Sequence, residues 1–345
     1  MIDADPKTPS TTYKTPMLLP LSPALILAPM EGVTDAPMRA VQGECGAFTH
    51  SVSEFLRVNQ SVPPKGVFLK HVPELLHNSL TPNGLPVHVQ LLGGDATLLA
   101  ETAAFACELG ARAIDLNFGC PAKSVNRHDG GATLLKYPKR IREIVGAVRS
   151  AVPRAIPVSA KLRLGWDSLD PIFENAAMAA EGGASWLTIH ARTRMAGYAP
   201  PVYWPSIGQV RERLGIPVIA NGDIWSIERF RQCRDETGCT HFMLGRGAVA
   251  NPLLSQQVAI ELGLISTQTL QSFDWPTQLE RLIRWTQHYQ GVDAGRMIRR
   301  LKQWLNMAAS FGTFTGFGAV KRATTTEEMF ATLRAHIGVD LAGPA

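Results

Sequence analysis

The chain has 345 residues, 45% of them hydrophobic, so it is long enough for one large globular domain and a small one. Its five cysteines form no CxxC pair, and no apolar run approaches membrane-spanning length, which argues against a disulfide-stapled or membrane-spanning protein. With no signal-peptide pattern we expect reduced thiols and a cytoplasmic location, and the net charge of +5 is a weak indication of a polyanionic partner.

Residues 1–22 differ in composition from the rest of the chain. They are rich in Pro, Thr and Ser and show no periodicity, which predicts a disordered or loosely draped extension. The segment also lacks the Arg-rich, acid-poor composition of a transit peptide.

Residues 23–262 alternate eight short apolar runs with helical patterns. The apolar runs are residues 24–28, 48–52, 87–92, 113–117, 158–163, 186–190, 218–221 and 241–245. Amphipathic stretches between them include 97–109, 139–152 and 172–181, and glycines stand where C-caps belong. Eight βα units of this size predict a TIM (β/α)8 barrel. A doubly wound sheet is the alternative, but no GxGxxG motif opens any unit.

Nearly every predicted strand ends at a polar or ionisable residue. In chain order these residues are Glu31, Glu54, Gln90, Asn117 with Cys120, Lys161 with Arg163, His190, Asn221 with Asp223, and Arg246. Any one of them alone is better explained as a satisfied loop residue. Because the carboxyl ends of barrel strands meet at one rim, eight such positions together predict a site there.

The segment from Asp115 to Lys123 carries the reactive group of this site. A buried strand ends at Asn117 and breaks into Gly119-Cys120-Pro121, with Gly130-Gly131 beyond. A free cysteine is usually buried and inert. Here a thiol, an amide and an amine share one loop at a strand end, so we favour a catalytic cysteine.

The last two units indicate a ligand. Asn221-Gly222-Asp223 and Gly245-Arg246-Gly247 follow the seventh and eighth strands, where barrels commonly bind a phosphate. Gln90 and Lys161 can reach the polar edge of a planar ring, and a cation there stabilises an anionic reduced flavin. Without a dinucleotide motif, FMN is favoured over FAD.

From residue 263 the alternation stops, and residues 263–345 predict a helical domain with helices over 278–290, 296–310 and 326–337. Residues 274–345 hold nine basic and six acidic residues, so most of the net charge lies there. The densest cluster is residues 296–304. A solvated helix face is the ordinary explanation, but beside a predicted flavin barrel a nucleic-acid surface is favoured.

These motifs together resemble the tRNA-dihydrouridine synthases. The matching segments are residues 28–35, 89–93, 115–121, 161–166, 190–193, 219–223 and 245–247. The resemblance runs in register from about residue 24 to 335, and Asn117-x-Gly119-Cys120-Pro121 with a downstream lysine is a specific signature. Residues 54–58 and 300–305 look most like the bacterial C subgroup, the tRNA-dihydrouridine(16) synthases.

The resemblance implies a barrel with a C-terminal helical tRNA-binding domain, FMN reduced by NADPH, and conversion of uridine to dihydrouridine in tRNA. It implies FMN contacts from Pro29, Met30, Glu31, Gln90, Lys161, His190, Asn221, Asp223, Gly245 and Arg246. It implies that Cys120 donates the proton and that tRNA is contacted by Arg57, Asn117, Arg300, Lys302 and Arg334. Two departures are the N-terminal extension, which has no counterpart, and Met307, which stands where the subgroup tends to carry an aromatic residue.

The chemistry agrees with these residues, because reducing the uracil C5=C6 bond needs a hydride at C6 and a proton at C5, which a protonated thiol can supply. Two other functions are an FMN enzyme of a free pyrimidine, resembling dihydroorotate dehydrogenases, and a non-catalytic RNA-binding protein. The basic C-terminal region argues against the first, and the complete set of strand-end residues argues against the second. We expect a monomer with no obligate protein partner and no membrane association.

Overall fold

The computed structural model describes residues 23–126, 129–269 and 273–340. The predicted extension over residues 1–22 and the last residues of the predicted helical domain, 341–345, lie outside the described residues.

Nine parallel strands form one closed sheet. The strands are β1 Ala24–Leu27, β2 His50–Val52, β3 Leu56–Arg57, β4 Val87–Leu92, β5 Ile114–Asn117, β6 Val158–Arg163, β7 Leu187–His190, β8 Val218–Asn221 and β9 His241–Leu244. Neighbours follow the order β2-β1-β9-β8-β7-β6-β5-β4-β3, and an additional β2–β4 pairing closes the barrel. Because β2 and β3 together occupy one position, this is an eight-stranded barrel. The predicted fold class is confirmed.

A bulge interrupts the second strand at Ser53–Phe55. From Val52 to Leu56 is four steps along the chain, whereas their partners on β4, His88 and Leu91, are three steps apart, so the second strand carries one extra residue. The Ser53 hydroxyl accepts a hydrogen bond from the Gln90 backbone N–H at 3.0 Å and so satisfies a donor that the bulge would leave unpaired. The bulge carries Glu54 to the rim of the barrel.

Helices surround the barrel and continue beyond it. They are α1 Ala36–Cys45, α2 Lys65–His71, α3 Ala96–Glu108, α4 Lys123–Asn126, α5 Pro138–Ala151, α6 Pro171–Glu181, α7 Trp204–Arg213, α8 Ile227–Thr237, α9 Arg246–Ala250, α10 Leu253–Glu261, α11 Trp275–Gln290, α12 Ala294–Ser310, α13 Phe317–Val320 and α14 Thr326–Asp340, with 3-10 helices at Pro73–His77, Gly131–Lys136 and Thr267–Thr269. The apolar periodicity located α3, α5 and α6 to within a residue or two. Each apolar stripe, such as Ile141, Ile144, Val145 and Val148 on α5, packs on the outer face of the strands.

The helices after residue 274 share a second core with part of the barrel. Trp275, Leu301 and Trp304 are buried in it, and Met38 of α1 and Val249 of α9 join the same cluster. Leu264 and Ile265 still pack on the barrel core. The predicted domain boundary at residue 262 therefore stays a prediction, and the two regions are in extensive contact.

Ion pairs link the helical region to α1. The Arg300 guanidinium of α12 pairs with both carboxylate oxygens of Asp35, which also caps the N-terminus of α1. At the other end of α1, Glu44 pairs with Arg281 and Arg284 of α11. The bidentate, largely buried Arg300–Asp35 pair fixes orientation as well as contributing energy. Within the described part of the chain, no helix is long and apolar enough to cross a membrane.

Candidate active site

A cavity of about 480 Å³ opens at the carboxyl ends of the barrel strands. That volume lies within the range of small-molecule and cofactor pockets. All ten predicted cofactor residues line it, and so do Cys120 and Asn117. Of the residues beyond the barrel, Met307 of α12 reaches its edge. The predicted strand-end residues therefore come from every strand position of the barrel and line one cavity. Their individual roles stay predictions.

A network of uncharged and acidic groups forms one wall of the cavity. The Gln90 amide donates to Asp115 at 2.7 Å, and its carbonyl accepts from the Asn117 amide at 2.8 Å. Burial raises the pKa of Asp115, while hydrogen bonds from Ser159 and Gln90 oppose that shift. Because every member is held by a neighbour, the polar edge that Gln90 presents to the cavity is fixed before any ligand arrives.

Asn117 organises the loop that carries the thiol. Its side-chain oxygen accepts from the backbone N–H groups of Gly119 and Cys120, both at 2.9 Å. This geometry caps the turn after β5. The predicted contact of Asn117 with tRNA can then use only its amide NH2 group, which already donates to Gln90.

Cys120 lies at the cavity wall with its thiol partly exposed. Its carbonyl accepts from the Ala132 N–H at 3.1 Å, and a Cβ on Gly131, at φ +60°, would lie only 3.0 Å from that oxygen. The glycine is thus required for the loop to close. Burial raises the pKa of the Cys120 thiol, with opposing contributions from the Ala122 backbone and Arg163. The group is therefore a protonated thiol near neutral pH and suits an acid better than a thiolate nucleophile.

Two cations of β6, Lys161 and Arg163, lie beside the Cys120 thiol. Lys161 Nζ donates to Asn221 Oδ1 at 3.2 Å. Burial, then the nearby Arg163, lowers the pKa of Lys161 to about 8, while Asp115 opposes the shift. Asn221 is oriented by its own bond to the Met243 carbonyl at 2.8 Å. The lysine is therefore held in the cavity as a cation that water solvates poorly.

Arg163 and Tyr198 line the site, but no role for either of them could be predicted from the sequence. The Arg163 guanidinium donates to the Gly119 carbonyl at 2.8 Å and to the Gly197 carbonyl at 2.7 Å, so it ties the thiol loop to the loop after β7. The Tyr198 ring lies 5.1 Å from the same guanidinium and is 55% exposed. The signal for Arg163 was its place at a strand end. The signal for Tyr198 was the length of the loop over residues 191–203, because long loops of this kind are usually functional.

The other end of the cavity is cationic. Arg246 lies against the rings of Tyr198 and Trp225, at 4.5 and 4.8 Å from their centres. Asp223, predicted as a cofactor contact, lines the cavity, directs its carboxylate to the buried guanidinium of Arg192 and lies 3.8 Å from Arg246. A carboxylate repels a phosphate, so Asp223 can serve a phosphate only through its backbone N–H.

Two further titratable groups line the cavity. The His190 ring is buried, and its Nδ1 atom has no hydrogen-bond partner among the described residues. Burial, followed by Arg163 and Lys161, lowers the pKa of His190, so the ring is neutral. Burial, followed by Asp35 and Glu31, raises the pKa of Glu54 to about 7. Perturbed groups gathered in one cavity mark a functional site.

The predicted tRNA residues differ in their exposure and in their contacts. Arg57 donates to the Ser124 carbonyl at 2.8 Å beside the Cys120 loop, and Arg300 is occupied by Asp35. Lys302 is partly exposed and Arg334 is exposed. Arg300 therefore holds two parts of the protein together, and Lys302 and Arg334 remain more accessible cations.

Comparison with known proteins gives concordant results. A family model described as Dihydrouridine synthase (Dus) matches residues 26–328. A tRNA-dihydrouridine(16) synthase of Shewanella oneidensis is 46% identical over 283 residues, which cover 82% of this chain and 87% of the relative. One of Pseudomonas putida is 45% identical over 284 residues, with 82% and 87% covered.

Similar folds also occur among solved structures. Histamine dehydrogenase from Rhizobium sp. aligns with a TM-score of 0.52 at 14% identity, over 76% of this chain and 49% of that one. A complex of 2-naphthoyl-CoA reductase with 2-naphthoyl-CoA aligns with a TM-score of 0.53 at 10% identity, over 69% and 50%. At these identities the likeness concerns the fold alone.

Proposed function

The chain belongs to the dihydrouridine synthase family, and from this membership and the cavity we propose that it reduces the C5=C6 bond of a uridine in tRNA. The proposed position is uridine 16, because the named relatives are tRNA-dihydrouridine(16) synthases. The observation that carries the proposal is a protonated thiol, Cys120, at the wall of a barrel cavity that holds buried cations.

The enzyme is flavin-dependent, and we propose FMN as the flavin and NADPH as its reductant. The cavity fits such a group because it contains a buried cation at Lys161 and an unpartnered ring nitrogen at His190. Lys161 and Gln90 would hold the polar edge of the ring, and Arg246 would hold the phosphate. When bound, the flavin supplies the hydride. No GxGxxG dinucleotide motif opens any βα unit, which favours FMN over a dinucleotide.

The protein's own residues supply the proton and the geometry. Cys120 holds its proton at Sγ near neutral pH, because burial disfavours the thiolate. Asn117 and Arg163 hold the Gly119–Cys120 peptide and the Ala132 N–H holds the Cys120 carbonyl, so that the thiol is presented to the cavity with little freedom. Delivery of a proton by a positioned acid contributes about 10²–10⁴-fold to a rate.

We propose that tRNA lies across the cavity mouth and the helical region. A uridine must leave its stack to reach a barrel mouth, and phosphate contacts hold the RNA while it does so. Lys302 and Arg334 are accessible for such contacts, whereas Arg57 and Arg300 would act through the segments they tie down. Since residues of one chain line the cavity, we propose that the enzyme acts as a monomer. We also propose that it acts in the cytoplasm.

Mapping of dihydrouridine in tRNA tests this function. A strain lacking the gene should lose dihydrouridine at position 16, and the wild-type gene should restore it. Purified protein should release FMN on denaturation and should modify unmodified tRNA when NADPH is present. Loss at another position would correct the specificity. Turnover of a small free pyrimidine without tRNA, or a flavin-free protein with unchanged tRNA in the deletion strain, would refute the proposal.

A further inference from the structure

The short helix α9 carries Arg246 at one end and contacts the helical region at the other. Its last carbonyl groups accept hydrogen bonds from outside the barrel: Trp304 Nε1 donates to the Val249 carbonyl at 2.8 Å, and the Thr313 hydroxyl donates to the Ala250 carbonyl. Helix termini leave such carbonyls unpaired unless other groups satisfy them. The carboxyl end of α9 is therefore completed by α12 and by the residues that follow it.

The amino end of the same helix is supported by an aromatic stack. The Arg246 guanidinium lies 4.8 Å from the centre of the Trp225 ring and 6.0 Å from that of Phe311, and the Trp225 and Phe311 rings stack with centres 4.2 Å apart and planes at 17°. Phe311 ends α12, so this support also comes from the helical region. A cation held over an aromatic ring keeps its plane and position only as long as the ring itself is fixed.

The space around α9 leaves little room for adjustment. A Cβ on Gly247 would lie 2.3 Å from the Ile224 carbonyl oxygen and 3.2 Å from Trp225. The helix is thus pressed against the loop after β8 on one side and bonded to the helical region on the other. A shift of α12 would be passed to Arg246 directly, because close-packed interfaces deform little.

We infer that Phe311, Trp304 and Thr313 are positioning residues for Arg246, so that flavin binding and docking of the helical region on the barrel are thermodynamically coupled. The inference rests on the proposed function, in that Arg246 is taken to hold the flavin phosphate. By linkage the coupling is reciprocal: a docked helical region strengthens flavin binding, and bound flavin stabilises the docked arrangement by the same factor. The region proposed to hold tRNA would then be fully ordered for RNA only when the cofactor is in place.

Two pairs of substitutions isolate this coupling in the full-length protein. Phe311→Ala removes the stack on Trp225, and Tyr137→Ala is its control, since Phe311 is 37% and Tyr137 47% exposed but the ring contact of Tyr137 is with Arg140 on α5. Trp304→Phe keeps the ring but removes the bond to α9. Its control is Trp285→Phe, whose lost bond to Glu44 at 2.7 Å joins α11 to α1 and does not involve α9.

The measurement is the dissociation constant of FMN for apo-protein, from quenching of flavin fluorescence. Phe311→Ala should weaken FMN binding by about three- to tenfold, the range of one aromatic pair, and Trp304→Phe by a similar factor. Phe311→Tyr should restore wild-type affinity, and neither control should change it more than about twofold. Thermal midpoints of the apo-proteins with Phe311→Ala and Tyr137→Ala should agree, since both side chains lie at the surface.

Hydrogen exchange measures the reciprocal effect. FMN should slow amide exchange in the last turn of α12 in the wild type, and this protection should be lost in Phe311→Ala. Equal FMN affinity in Phe311→Ala and Tyr137→Ala, or exchange in α12 that FMN leaves unchanged, would overturn the inference while leaving the flavin assignment intact. Failure of the wild-type protein to bind FMN at all would overturn the proposed cofactor, and the inference with it.

Discussion

Replacing Lys161 with methionine should stabilise the apo-protein while weakening its cofactor binding. The lysine lines the cavity, where burial lowers its pKa to about 8, and it donates a hydrogen bond to Asn221 Oδ1. Methionine has nearly the same length and no charge. The charge of Lys161 therefore destabilises the folded apo-protein, and its role is to interact with a bound ligand.

The magnitude follows from the shift in pKa. Between an ordinary value of 10.5 and one of about 8, the charged form of Lys161 costs about 3 kcal/mol at neutral pH. Water in the open cavity screens part of this free-energy cost, so we expect about half of it to apply. Leaving Asn221 Oδ1 without its donor takes back up to about 1 kcal/mol. The net gain for Lys161→Met is then about 1 kcal/mol at pH 7.

The sign of the pH dependence gives the sharper test. Because the folded pKa lies below the unfolded one, the unfolded chain binds more protons between pH 8 and 10.5, and wild-type stability rises through that window. The advantage of Lys161→Met should thus be largest below pH 8 and shrink towards pH 10.5. Urea unfolding of apo-protein at pH 7 and near pH 10 measures it, with exposed Lys139→Met as the control. A variant less stable than wild type at pH 7, or a gain independent of pH, would refute this reasoning.

Three further predictions follow from other parts of the molecule. Cys120→Ala should fold, bind FMN and accept electrons from NADPH, yet slow single-turnover reoxidation by uridine-containing tRNA by about 10²–10⁴-fold; a wild-type rate would remove the thiol from its role. Lys302→Gln should weaken tRNA binding and reduce its log–log salt slope by about one without changing the thermal midpoint, whereas Arg300→Gln should lower the midpoint because it leaves Asp35 unpaired. The opposite assignment of these two effects would contradict the structure. Burial lowers the pKa of His88 to about 3, whereas the same ring in the unfolded chain titrates near 6.5. The free energy of unfolding is therefore highest above pH 6.5 and should fall by about 2 kcal/mol between pH 7.5 and pH 5, because the unfolded chain takes up the proton. His88→Leu should flatten that slope, and equal slopes would count against it.

The barrel could be predicted from sequence because its information is local. Residues 87–92, 158–163 and 218–221 were identified as strands with the bounds the structure has, since each is an apolar run closed by polar residues. The rim site followed from one geometric rule, that all barrel strands point the same way. The split of the second strand at Ser53–Phe55 was missed, because a single extra residue leaves no mark in the hydrophobic pattern.

The site's internal pairing could not be predicted, because it depends on contacts between distant segments. Arg300 reads as a member of a basic helix face, but its partner Asp35 lies 265 positions away in the chain. Asp223 reads as part of a phosphate loop, but a buried arginine occupies its carboxylate. The sequence shows which residue types reach the rim. It does not show which of them are already satisfied.

Desolvation alone does not distinguish the site from the rest of the barrel interior. At the amino ends of the strands, His50 and His88 stack with ring centres 4.1 Å apart, His241 is nearby, and burial lowers the pKa of all three, as it does for His190 at the rim. The difference is access. His50, His88 and His241 do not line the rim cavity, so their neutral state serves packing, whereas His190 borders that cavity together with buried cations. A perturbed pKa therefore indicates function here only where an open cavity and a neighbouring charge coincide with it, and that coincidence occurs at the carboxyl ends of the strands.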